Sequence, residues 1–169
     1  MNPGRWWRPG PRNRRAAVAA GVVASLAYLA TMEVDRKVTK SRVDDLVLVG
    51  RPFAPDKPGL ARPIGFLVHL ANGTALALAY AAIAHERFPG PAWMRGLIFL
   101  NLENLALYPI MRFSGQHPAV KDGQLDNYWT WPAFAESLPP HAIYGLVIGP
   151  LYERFRVSRR AERGCCERL

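Results

Sequence analysis

The sequence predicts an all-α protein: a four-helix transmembrane bundle built from two repeated two-helix hairpins, with a short outer amphipathic helix. Three observations support this fold class. Residues 16–32 carry no charge, and residues 64–84 carry only one histidine. The first 15 and last 16 positions hold 11 of the 22 Lys and Arg residues. Two apolar segments also share an internal repeat. Apolar blocks flanked by arginine are typical of multi-span membrane proteins.

Composition excludes several other classes of protein. The two cysteines are adjacent, Cys165 and Cys166, so the chain is not a disulfide-stapled secreted domain. Its five Trp, six Tyr and seven Phe residues exclude a disordered chain. The net charge of +9 flanks apolar segments and does not alternate with polar and aromatic residues along one face. We therefore expect anionic lipid headgroups as the partner of these charges and no nucleic acid.

The chain divides into a basic cytoplasmic tail (1–15), a membrane domain (16–155) and a second basic cytoplasmic tail (156–169). At about 1.5 Å per residue, the first apolar segment reaches ~26 Å and the second ~31 Å, against a hydrocarbon core of ~30 Å. Adjacent prolines at 139 and 140 are expected to separate a short interfacial helix from the last span. The four predicted spans are about 16–33, 64–84, 95–112 and 138–155.

The distribution of basic residues predicts a multi-pass protein of the inner (plasma) membrane with both termini in the cytoplasm. That orientation places 13 Lys and Arg residues inside and nine outside. The alternative, a cleaved signal peptide, lacks a good small-x-small cleavage site. Residues 41–54 predict an amphipathic helix on the outer surface or an ordered loop with one helical turn. Residues 113–130 predict a polar outer loop.

The second and fourth spans share the pattern H-x3-G-x3-[AG]-x2-Y at an offset of 72 residues. At 100° per residue these positions form one stripe along each helix. Stripes of small residues let helices approach closely in lipid, so they predict helix packing. Both spans run from the outer to the inner side, which relates the two halves by an axis along the membrane normal. The predicted packing positions are Gly73, Ala77, Gly145 and Gly149.

Three short motifs resemble those of small, uncharacterised bacterial four-helix integral membrane proteins. They are D-x5-G before the second span, G-x3-H-x3-G within it, and H-x2-Y-G-x3-G-x2-Y in the last span. The residues that carry them are Asp44 and Gly50; Gly65, His69 and Gly73; and His141, Tyr144, Gly145, Gly149 and Tyr152. The resemblance covers roughly residues 16–155, implies the four-helix fold and brings no established activity.

Polar side chains lie at similar depth in the outer half of three spans. Burial of a polar side chain in lipid is costly, so we expect each to have a hydrogen-bond partner or a functional role. The predicted polar intramembrane cluster is His69, Asn72, Asn101, Glu103, Asn104, Tyr108, His141 and Tyr144. One hypothesis has the histidines facing each other as interhelical hydrogen-bond partners. Alternatively, His69 and His141 ligate a b-type haem, or Glu103 handles protons. His85 and His117 are expected in solvent, and Asp44 and Asp45 on a polar face.

The sequence contains no nucleophile elbow, phosphate-binding loop or metallohydrolase motif, so it does not favour an enzyme. It predicts no metal site and no cofactor, with haem b as the alternative. The expected role is a non-enzymatic protein that self-associates as a homo-oligomer or serves as a subunit of a membrane complex. The alternatives are a haem- or metal-binding membrane protein using His69 and His141, and a small transporter or proton-pathway component using Glu103.

The topology can be tested with reporter fusions. Fusions after Arg15, within residues 85–95 and after Arg160 should report a cytoplasmic position. Fusions within residues 45–60 and 115–127 should report the outside, because the basic residues favour that orientation. A cytoplasmic signal from either outer connection would show the orientation to be wrong.

Overall fold

A computed structural model describes residues 11–166 and the side chains of residues 14–156. Within these residues the chain forms helices and turns without a strand, which confirms the all-α class. The backbone of residues 11–15 and 156–166 continues the first and last helices. The basic residues and tryptophans of positions 1–10 lie outside the described residues, and the side chains of Cys165 and Cys166 lie outside the described side chains.

Four of the helices in the described chain are long, and the four predicted spans fall on these helices and their continuations. Helix α3 (Ala61–Ala79) continues as a π-helical turn over Tyr80–Ala84, and α4 (Ala92–Leu107) continues as a 3-10 helix over Tyr108–Gln116. Short 3-10 turns occupy Arg51–Phe53 and Pro58–Leu60. The α-helices are α1 (Pro11–Thr39), α2 (Asp45–Gly50), α3 (Ala61–Ala79), α4 (Ala92–Leu107), α5 (Pro118–Lys121) and α6 (Trp131–Cys166).

Helix α6 corrects the expectation that the adjacent prolines divide the last span. It runs without a break through Pro139, Pro140 and Pro150. A proline inside a helix removes a hydrogen bond and costs about 3 kcal/mol. Packing along two long neighbours, α1 and α4, opposes that cost. Pro140 itself is fully buried, and the Ser137 hydroxyl donates to the carbonyl of Phe134 at 2.7 Å just before the pair.

The long helices meet closely at small residues. Helices α1 and α3 touch where Gly21 lies against Ala77 and where Ser25 lies against Gly73. Helices α4 and α6 touch where Gly96 faces Gly145, and a Cβ atom on Gly145 would lie 2.7 Å from the Gly96 carbonyl oxygen. Backbone therefore contacts backbone at this crossing, and only glycine fits.

The helices are arranged in the order α3, α1, α6 and α4. Helix α6 packs against both α1 and α4, and α3 packs on the other side of α1. The fully buried side chains between them include Tyr80, Leu100, Tyr144, Ile148 and Tyr152. At the end near residues 84–92, the π-helical turn of α3 approaches α4, where the Tyr80 and Phe99 rings are 5.8 Å apart.

Residues 40–60 and 108–130 form a cap over the opposite end of the helices. The two segments are joined by the ion pairs Arg42–Asp126 (2.8 Å) and Arg51–Asp122 (2.7 Å). The backbone N–H of Asp44 donates to the Tyr128 hydroxyl at 2.7 Å. These contacts hold the two predicted outer connections together as one structure.

The cap refines one expectation and overturns another. The predicted outer helix exists as α2, but it lies against α3, with Leu46 and Gly50 buried. Asp44 caps α2 by accepting from the N–H groups of Leu46 and Val47. Residues 113–130 are not an open polar loop, because they contain α5 and bury a small cluster formed by Ala119, Leu125 and Tyr128. Burial of these apolar side chains orders the segment.

Neither His85 nor His117 lies free in solvent, contrary to expectation. His85 is 2% exposed, and its ring packs edge-on against Tyr80 and Tyr152 at 5.7 and 4.7 Å. It is drawn in because the π-helical turn of α3 extends into the connection and leads directly to it. His117 is half-buried and caps α5, since its Nδ1 accepts from the Ala119 N–H at 3.2 Å.

Two segments of the described chain, Arg14–Thr39 and Pro58–Ala84, are long and apolar enough to cross a membrane. Large apolar side chains are exposed on all four long helices of the described chain. They include Val23 (44%) and Leu26 (45%) on α1, Leu67 (67%) on α3, and Leu105 (58%) on α4. Such surfaces are unusual for a monomer in water.

Substituting Gly145 should weaken the α4–α6 contact. We expect Gly145→Leu to destabilise the protein by at least about 1–3 kcal/mol, because the side chain would have to displace α4 backbone. Ala142→Leu on the same helix is the matched control, since Ala142 is part-exposed. The measurement is the free energy of unfolding in detergent. Equal stability of the two variants would show that this crossing is not close-packed.

Acidification should loosen the cap through His117. Burial lowers the pKa of His117 below its ordinary value of 6.5. The unfolded chain therefore binds the proton first. The bond by which neutral His117 caps helix α5 contributes about 1 kcal/mol, and this stabilisation is lost as pH falls below 6.5. In His117→Asn, the Asn side chain still accepts a bond at the start of α5 but does not titrate. The free energy of unfolding of this variant should therefore fall less than that of the wild type between pH 7.5 and 5.5. Identical losses in both proteins would contradict this role.

Candidate binding cavity

A cavity of about 150 Å³ lies beneath the cap, between the ends of the long helices that face it. Side chains from α1, α2, α3, α4, α6 and the cap form its wall. Six of the eight predicted cluster residues line it: His69, Asn72, Glu103, Asn104, Tyr108 and His141. Polar residues that the sequence places on three separate helices therefore line one cavity.

The other two cluster residues lie elsewhere. Tyr144 lines a smaller adjoining space of about 40 Å³, together with His69, Glu103 and His141. Its hydroxyl donates to the carbonyl of Gly73 and is fully buried. Asn101 lines neither space, because its side-chain amide donates to the carbonyl of Leu97 on its own helix at 2.8 Å.

Tyr28 is a central cavity residue that the sequence analysis did not identify. Its ring centroid lies 4.6 Å from that of His69 and 5.1 Å from that of His141. Its hydroxyl donates to Oδ2 of Asp45 at the start of α2. One side chain of α1 therefore contacts α2, α3 and α6 at once. The signal available in the sequence was a tyrosine within an otherwise apolar span.

The two histidines do not pair with each other. Within the described side chains, each ring instead packs against Tyr28. His141 makes its own polar contacts: Nδ1 is 2.7 Å from the carbonyl oxygen of Ser137, and Nε2 is 3.7 Å from Oε2 of Glu103. Because a carbonyl only accepts, Nδ1 must carry a hydrogen. The neutral ring then presents a bare Nε2 to the carboxyl group.

Glu103 presents a buried oxygen without a partner. Its side chain is 15% exposed, and Oε2 has no hydrogen-bond partner. The 3.7 Å separation from His141 is too long for a direct hydrogen bond. Buried polar atoms in folded proteins are almost always bonded, so an unpaired one requires an explanation. Here the oxygen belongs to a cavity-lining residue, which gives a bound group a place to interact.

Neighbouring polar groups hold the cavity wall in position. The Asn104 amide donates to the Ser137 hydroxyl at 2.9 Å, linking α4 to α6. The Tyr108 hydroxyl donates to the carbonyl of Thr130 at 3.2 Å, and its ring stacks on Trp129 at 4.7 Å. These contacts use one donor of each residue and do not involve Glu103.

The cavity is closed on the side away from the cap. Leu76 and Leu100 line the adjoining small space, and Tyr144 is 2% exposed there. Below them, Ala77 and Ile148 are fully buried among tightly packed helices. Among the described residues, apolar side chains therefore form much of the floor of the cavity on this side.

The cavity wall is mostly apolar with several polar side chains, and its described residues include no Lys or Arg. Its ionisable side chains are those of Asp45, Glu103, two histidines and three tyrosines. Outside the wall, Arg62 pairs with other carboxylates, with Glu33 at 2.8 Å and with Asp44 at 3.4 Å. The wall therefore suits a neutral or cationic group better than an anion.

The geometry does not favour a haem between His69 and His141. The Tyr28 ring lies against both imidazole rings, with centroid separations of 4.6 and 5.1 Å. The cavity is also smaller than the ~300–1,000 Å³ typical of cofactor-sized pockets. Among the described residues, no group of three or more His, Cys, Asp or Glu side chains could hold a metal ion.

Removing the Tyr28 hydroxyl should destabilise the protein. Tyr28→Phe leaves Oδ2 of Asp45 without its donor, which costs about 1–3 kcal/mol for a part-buried carboxylate. Tyr108→Phe is the matched control, because its hydroxyl bonds at the exposed surface and should cost about 0.5 kcal/mol. Denaturant titration in detergent measures both. A Tyr28→Phe loss no larger than the control would contradict a central role for this bond.

Comparisons with known proteins identify the family. The chain matches DUF6789, a family of unknown function, over residues 11–163. No curated protein and no solved structure matches it. The match covers nearly the whole chain and agrees with the resemblance to an uncharacterised family. The chain belongs to DUF6789, a family of unknown function.

Proposed function

We propose that this protein is a four-span protein of the plasma membrane that binds a small ligand in its outer-half cavity. The membrane domain comprises residues 16–155, and the basic ends lie in the cytoplasm against anionic lipid headgroups. The unpaired Oε2 of Glu103 in the cavity wall carries the binding proposal. Binding, not catalysis, is the role that the wall supports, because no nucleophile is paired with a base in it.

Exposed apolar side chains support membrane insertion. Helices α1 and α3 are long and apolar enough to cross. Helix α4 exposes Leu102 (52%) and Leu105 (58%), while Gly96, Leu100 and Asn104 are buried inside. Glu103 in α4 and the adjacent prolines in α6 lower the apparent hydropathy of those helices. Glu103 faces the cavity, where it avoids lipid.

Matching contacts in the two halves support a repeated two-helix hairpin. Gly73 faces Ser25 in the first half, and Gly145 lies against Leu97 in the second. Ala77 faces Gly21, and Gly149 lies against the Ala92–Trp93 peptide. Shifting Ser25 and Gly21 by the 72 residues of the sequence repeat gives Leu97 and Trp93. Both helices of the hairpin therefore follow the same offset.

The closed floor weighs against the transporter alternative. A proton or solute path needs polar groups through both halves of the membrane, and buried Leu100 and Ile148 interrupt it. Self-association or membership of a membrane complex remains compatible with ligand binding. The apolar surfaces of α1 and α4 contact either lipid or a second helix.

Co-purification tests the binding proposal. The wild-type protein, extracted from its native membrane in mild detergent, should carry a small molecule visible by native mass spectrometry. Ala133→Phe should lose it, because Ala133 is 5% exposed and lines the cavity. Ala135→Phe, at an exposed neighbouring position, is the control and should retain it.

Glu103→Gln provides a second variant that preserves volume, should Ala133→Phe fail to fold. It should reduce occupancy, because the amide changes which atoms can donate and accept. A wild-type protein without any bound mass would contradict the proposed function. Equal occupancy in wild type and both cavity variants would place the ligand elsewhere and also contradict it.

A further inference from the structure

We propose that the ligand is a membrane-dissolved amphiphile, with a hydroxylated aromatic ring held in the cavity and an apolar tail lying between α3 and α4. This inference rests on the proposed function and adds the ligand class and its route. Three observations carry it: where the cavity opens, how large it is, and which polar atom in it lacks a partner.

The cavity opens sideways. The cap covers its top, with Asp45 and Tyr128 in the wall. Two lining residues are themselves exposed at the protein surface: Asn72 on α3 and Leu107 on α4, which is 43% exposed. These two helices approach each other at the far end, near Tyr80. The mouth therefore lies between α3 and α4, on the flank of the protein.

The flank around the mouth is apolar. Leu67 on α3 and Leu105 on α4 are exposed at 67% and 58%. Asn72 lies ~12 Å below the outer end of its span at 1.5 Å per residue. A mouth at this depth faces the bilayer, so a ligand reaches it from lipid. A tail that stays in the mouth keeps its contact with hydrocarbon and with Leu107.

The size and wall of the cavity favour one aromatic ring. A cavity of about 150 Å³ holds a molecule the size of benzene. The rings of Tyr28, Tyr108 and Phe134 line it, and aromatic rings pack well against one another at offset or edge-on angles. A phospholipid headgroup does not fit, because its phosphate would meet Glu103 and Asp45 without any Lys or Arg.

The unpaired Oε2 atom of Glu103 favours a ligand whose polar group is a hydroxyl. Oε2 of Glu103 is the buried side-chain atom of this wall that lacks a partner. Asp45 already accepts from Tyr28, and the Asn104 amide already donates to Ser137. An ammonium group would bring three donors, whereas a hydroxyl brings one. A hydroxyl also accepts, so it bonds to Glu103 whichever of Glu103 and His141 holds the proton.

Calorimetric titration of the protein in lipid nanodiscs tests this inference. The probes are decylhydroquinone, its dimethyl ether, and hydroquinone without a tail. Decylhydroquinone should bind at least about tenfold more tightly than the ether, because blocking the hydroxyls leaves Oε2 unpaired. It should also bind more tightly than hydroquinone, since the tail gains contacts in the mouth.

A matched pair of variants tests the route. Leu107→Trp fills the mouth and should weaken decylhydroquinone binding at least about tenfold. Leu105→Trp is the control, because Leu105 is exposed on the same helix but does not line the cavity. Equal effects of the two substitutions on decylhydroquinone would overturn the sideways route.

The outcomes separate this inference from the proposed function. If the ether binds as tightly as decylhydroquinone, or if the co-purified molecule is water-soluble and lacks a tail, the ligand class is wrong. The cavity then still binds a ligand, and the proposed function stands. If no probe binds and the purified wild type is empty, both proposals fail.

Discussion

Close contact between helix backbones at small residues is the constraint on which the rest of the structure depends. Gly21, Gly96, Gly145 and Gly149 each lie where a Cβ atom would meet a neighbouring helix within 3 Å. These contacts draw the helices together over the half farther from the cap. Nearer the cap, the bulky Tyr28 side chain packs against His69 and His141 and lines the cavity. The cavity therefore lies where large side chains replace the small residues at which these helices meet.

The cap completes the cavity by satisfying groups that the helices leave open. Asp45 accepts the Tyr28 hydroxyl from α1, and Asp44 stabilises the start of α2 while facing Arg62. The ion pair between Arg51 and Asp122 then joins the two cap segments. Polar residues that the sequence places in separate connections therefore support one wall. This arrangement makes the cap part of the cavity's structure as well as its cover.

The sequence predicted the polar residues of the cavity wall better than it predicted the cap and helix α6 around them. The fixed rise of a helix placed His69, Glu103 and His141 at similar depths, and the structure brings them to one cavity. It could not reveal Asp45, because the path of a connection back to the helices depends on tertiary contacts. The unbroken helix at Pro139 was missed for a related reason: packing against two neighbours outweighs a local preference that is visible in the sequence.

Polar residues within the long helices differ in whether their side chains find a hydrogen-bond partner within the same helix. Side-chain donors of Ser25, Thr74 and Asn101 each bond to the carbonyl one turn earlier on their own helix. Such residues need no partner from another helix, and their presence at membrane depth is consistent with a purely structural role. Oε2 of Glu103 makes no such bond and is left unpaired beside the cavity. That difference separates Glu103 from the polar residues that satisfy their own hydrogen-bonding groups within one helix.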